Sequence, residues 1–176
     1  MSLTTKSDVR MRLIFALWSL LFTKCFTLEF LVRHYEVPIN SVTYVWTLSI
    51  LMASVATAVY ANLHSDERTA LIRQPGFFIH AITGLAVTVL VAYNLLVNLD
   101  AAFLLPLAAV AVGLGRIWQR LQYPSSAPIW IAPCWFVAAA ILAYFGNPAN
   151  FLVFAISLLI LAVIPGLIQF FNNRLS

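Results

Sequence analysis

"FTKCFTLEFLVRHYE", residues 22–36, sets Lys24 and Glu29 inside an apolar run, with Arg33, His34 and Glu36 close behind. The run starts upstream in "LIFALWSLLF", residues 13–22. About 20 residues rising about 1.5 Å each span a hydrocarbon core of about 30 Å, so the run is long enough to cross a bilayer as a helix. On that reading Lys24 lies about 16 Å in, near mid-depth, and Glu29 about 24 Å in, in the outer half. A charge at the centre of a membrane helix costs about 2.5–3.5 kcal/mol on insertion scales. Lipid cannot offset that; a snorkelling path, a polar neighbour or a solvated pathway can.

Helical geometry separates the two charges. At about 100° per residue, Lys24 and Glu29 point about 140° apart and cannot easily pair, whereas Glu29 and Arg33 are four apart and can. Ser19, Thr23 and Thr27 share one broad face that Lys24 borders, and Cys25 shares a face with Glu29. A helix polar on more than one side suits a position among other helices.

The rest of the chain agrees with a membrane setting. Of 176 residues, 62% are hydrophobic and only 9% charged, where a soluble domain is about half apolar and about a quarter charged. The net charge of +4 comes from ten bases and six acids scattered between apolar runs. Such scatter forms no basic patch, so nucleic acid is not an expected partner; the bases read as topology signals facing anionic lipid. Lys6, Arg10 and Arg12 precede the first apolar run, as in a signal peptide, but "TKCFTLEF" offers no small-residue cleavage site. The segment is therefore expected to be retained.

Six apolar segments, 13–32, 43–62, 77–98, 101–118, 129–146 and 149–171, predict one all-α domain over residues 1–176, a polytopic six-transmembrane-helix bundle. Strict two-residue alternation is absent, which speaks against a barrel. With six spans, Lys6, Arg10, Arg12, Arg68, Arg73, Arg116, Arg120 and Arg174 fall on one side and only Arg33 on the other. The positive-inside rule then puts both termini in the cytoplasm. The expected location is a bacterial inner (plasma) membrane, crossed several times. "HSDERTALIRQPG", residues 64–76, fits a short interfacial helix capped by Ser65. Tyr35, Tyr44 and Trp46 at the first outer loop, and Trp118, Tyr123 and Trp130 at the last inner one, fit an aromatic belt. Pro165-Gly166 is expected to kink or end the sixth span, because Pro165 cannot donate to the carbonyl of Leu161.

Lys24 and Glu29 are the leading candidates for a ligand or ion pathway, Lys24 as a proton-coupling or anion-contacting group. Thr23 and Thr27 border them, and His80 and Asn94 lie on a polar stripe of span three that can face them. Catalytic signatures are missing: the chain has no HExxH, GxSxG, phosphate-binding glycine loop or GxGxxG. An enzyme is not expected. Cys25 and Cys134 are far apart in apolar runs, so free thiols are expected and no metal site is. His64 and His80 form a weak, shallow pair for haem, and no cofactor is assigned. The function expected is binding or moving a small solute or ion within the bundle. The alternatives are a non-catalytic membrane subunit or assembly factor and, less favoured, a membrane redox protein. Besides the lipid bilayer, a membrane protein partner or a second copy of the chain is a possible partner.

Overall fold

The computed structural model describes residues 3–37, 40–63, 101–122 and 130–175, and every regular element among them is helical. Helix α1 is Leu3–His34, α2 Asn40–Leu63, α3 Ala101–Gln122 and α4 Ile131–Tyr144. Helix α5, Ala149–Leu158, runs through a π-helical stretch, Leu159–Val163, into α6, Ile164–Leu175. The expected third span (77–98), the expected interfacial helix (64–76) and Tyr123 lie outside the described residues. Among the described residues, two stretches are long and apolar enough to cross a membrane, Leu13–His34 and Ala149–Ile168, with mean hydropathies of 1.6 and 2.9. Tyr44–Tyr60, Leu104–Trp118 and Ile131–Tyr144 are shorter apolar helices.

Helix α1 is longer than its apolar run because nothing in residues 3–12 breaks it. Its end is specific. Glu36 takes the left-handed conformation, φ 54°, and the Val37 N–H donates to the Val32 carbonyl at 2.9 Å. That six-to-one bond with a left-handed residue before it is a Schellman stop. It turns the chain towards α2.

The expected break at Pro165 takes a different form. The Ile164 N–H donates to the carbonyl of Leu159, five residues back, so the turn before the proline is π-helical. Re-spacing the carbonyls there lets the helix absorb a missing donor. The helix therefore continues to Leu175 with its faces shifted in register.

Helix α1 packs along the whole α5–π–α6 rod and also against α2, while α3 and α4 pair closely with each other and flank α5. Aromatic rings mark the seams. Phe26 meets Phe154 edge-on at 4.8 Å, Trp46 edge-on at 5.2 Å and Phe151 at 6.4 Å; Trp135 lies 6.2 Å from Phe154. Lower on the same seam, the Trp18 indole donates to Thr57 Oγ1 at 3.2 Å. Contacts 18–57 and 26–46 run in opposite senses along α1 and α2, so the pair is antiparallel. Gly113 lets α3 approach α4: a Cβ there would stand 3.2 Å from the Phe136 ring and 3.3 Å from Trp135 Cβ. Ala109, one turn earlier, is also buried, which makes a small-xxx-small contact.

One aromatic assignment changes. Trp46, read as an interfacial ring, is buried against Phe22 and Phe26. Tyr35, Tyr44, Trp118 and Trp130 are exposed. The difference comes from α2 starting at Asn40, which puts Trp46 two turns inside the helix on its α1-facing side.

Candidate functional site

The site is built where the C-terminal half of α1 meets the start of α5. Phe26 of α1 touches Phe154 of α5, and one turn later on α1 stands Glu29. On α5, which runs the opposite way, Asn150 stands one turn before Phe154. Arg33, the next turn of α1, lays its guanidinium 5.0 Å from the centre of the Phe151 ring. Along α1 these contacts bracket Glu29, and Asn150 lies just before Phe151 at the start of α5.

Both are deeply buried, Glu29 at 3% and Asn150 at 0% exposure. Arg33 Nε donates to Glu29 Oε1 at 2.7 Å, the pairing that their four-residue spacing predicts. The carboxylate charge is thus balanced locally. Its hydrogen bonding is not. Glu29 Oε2, both amide atoms of Asn150, and the indole N–H groups of Trp46 and Trp135 have no hydrogen-bond partner among the described residues. Two unmatched acceptor atoms and three unmatched donor groups therefore belong to the core around Phe26 and Phe154. Burying such groups without partners costs about 1–3 kcal/mol each, and buried polar groups in native proteins are overwhelmingly paired.

The other expected site residues sit differently. Lys24 is exposed, on the side of α1 turned away from Glu29, so the two charges do not meet. Thr23 and Thr27 are half-buried and donate to the carbonyls of Ser19 and Thr23, each at 2.8 Å, within their own helix. His80, Asn94 and His64 lie outside the described residues. Cys25, fully buried, and Cys134, half-buried, are free thiols. Among the described residues no group of three or more His, Cys, Asp or Glu could hold a metal ion.

Asn150 and Trp46 escape sequence reasoning. Asn150 sits in "FGNPAN", residues 145–150, which reads as a polar outer loop. The usable signal is its spacing: it stands four before Phe154 in a helix that starts just after Pro148, so it shares the core-facing side. No protein-family model matches the chain, and no curated protein or solved structure shows significant similarity to it.

Proposed function

We propose that the chain is a multi-pass membrane protein of the plasma membrane that binds, or passes, a small uncharged polar solute between α1 and α5. The observation that carries this is the seam that is balanced in charge but unbalanced in hydrogen bonds. Arg33 already neutralises Glu29, so a bare ion gains little there. A molecule with both donors and acceptors, such as urea, an amide or a polyol, has the chemistry to match Glu29 Oε2 and the Asn150 amide.

The membrane part of the proposal is supported by where apolar surface lies. In the two long stretches only 22% and 28% of the apolar window is buried. Helix α2 leaves Leu48, Leu51, Met52, Val55 and Val59 exposed. Exposed apolar area on that scale suits lipid or partner helices. The six-span arrangement, with both termini inside, follows from the loop charges. Reporter fusions after Asn98 and after Gln122 are expected to report outside and inside respectively; the same side for both would refute six spans.

Solute movement is tested in proteoliposomes by light scattering after a jump in urea, acetamide or glycerol, with potassium chloride as the ionic comparison. Shrinkage should recover faster than in protein-free vesicles for at least one uncharged solute and not for the salt. Glu29→Gln should slow that recovery about tenfold, the effect of losing one buried hydrogen-bonding partner worth about 1.4 kcal/mol. Salt movement without solute movement, or Glu29→Gln vesicles as fast as the parent, would rule the proposal out.

A further inference from the structure

A second feature of α1 points outward rather than into the seam. Leu17, Lys24 and Leu31 are spaced by seven residues, Leu20 lies between the first two, and all four are exposed. Seven-residue spacing keeps side chains on one stripe of a helix with a drift of about 20° per repeat, the pattern of a helix–helix seam. Lys24 stands at its middle, 11 residues after Leu13 and 10 before His34, the ends of the apolar stretch. Neither end is near: the ammonium sits about 16 Å from each, and a four-carbon stem covers less than half of that.

We propose that this stripe docks a transmembrane helix of a different polypeptide, one that carries an aspartate or glutamate at mid-depth against Lys24. Charge complementarity sets the occupant. Leucines alone gain little by leaving lipid for another helix, because lipid tails are equally apolar; a lone central ammonium gains a great deal from a carboxylate. This chain cannot supply that carboxylate. Its acids are Asp8, Glu29, Glu36, Asp66, Glu67 and Asp100, and on the proposed six-span arrangement only Glu29 falls inside a span. Glu29 is buried and bonded to Arg33. A second copy docked symmetrically on the same stripe would bring Lys24 against Lys24, a like-charge contact. A hetero-oligomer answers both conditions. This inference stands apart from the solute site, since Lys24 contributes nothing to that seam.

The test uses the full chain in the cells that make it, with a photo-crosslinking amino acid placed in turn at Leu17, Leu20 and Leu31, and at Val55 on α2 as an off-stripe comparison. The three stripe positions should give one shared product whose peptides belong to another membrane protein with a carboxylate near the middle of a span; Val55 should not give it. Lys24→Met should lower the product at least about tenfold at unchanged chain abundance. Lys24→Glu, combined with lysine in place of the partner's carboxylate, should restore it. A product with the mass of two copies of this chain, adducts to lipid alone, or a yield unchanged by Lys24→Met would each overturn the inference.

Discussion

Replacing Asn150 with valine is expected to raise the thermal stability of the protein while removing the solute binding proposed above. The amide of Asn150 is fully buried at the first turn of α5 and neither of its polar atoms has a partner among the described residues. Valine occupies a similar volume and carries no polar atom, so the penalty of about 1–3 kcal/mol for an unmatched buried amide is relieved. Against that stand a small loss of helix propensity and imperfect packing, each below about 1 kcal/mol. A net gain of about 1–2 kcal/mol follows, read as a higher unfolding midpoint in mild detergent. The same substitution should abolish the faster recovery of vesicles after a solute jump. Gained stability with lost activity is the signature of a polar group kept for a ligand. A valine variant less stable than the parent, with recovery unchanged, would mean that the amide serves the fold instead.

Truncating Phe154 to alanine should cause the largest loss of stability in the molecule. Its ring has no exposed surface, meets Phe26 edge-on at 4.8 Å and lies 6.2 Å from Trp135. It joins three helices: α1, α4 and α5. Phenylalanine-to-alanine changes in cores cost about 3–5 kcal/mol, part for transfer from water and part for the cavity left behind. In the proposed lipid setting, helices are held mainly by dispersion and close packing, so the transfer part shrinks while the cavity part stays. The expected loss is about 3 kcal/mol, measured by denaturation in mixed micelles. Phe154→Leu, which refills most of the space, should recover more than half of it. An alanine variant within about 0.5 kcal/mol of the parent would show that the aromatic seam does not hold these helices together.

How much of this was legible beforehand depends on the distance between partners along the chain. Relations within one helix could be read directly, because a rise of about 1.5 Å and a turn of about 100° per residue fix them whatever surrounds the helix. The Glu29–Arg33 bond, the divergence of Lys24 from Glu29 and the shared face of Cys25 and Glu29 are all of this kind. The helical character of the apolar runs within α1, α2, α3 and α4 is also of this kind, since long apolar runs satisfy their backbone groups internally as helices. The helical character of the described chain and its two long apolar stretches were thus determined by the sequence alone. Which helix covers Glu29 was not. Apolar packing is non-directional, and several apolar faces could have met α1 equally well on composition. Only the tertiary structure decided that α5 meets it, burying Asn150 at the start of α5 and drawing Trp46 from an expected interface into the core. The same holds for Pro165: its missing donor is certain from the sequence, but whether a helix answers by stopping or by widening into a π-turn depends on the neighbours along its length. In this protein α1 packs against the rod on both sides of the proline and holds it in one piece.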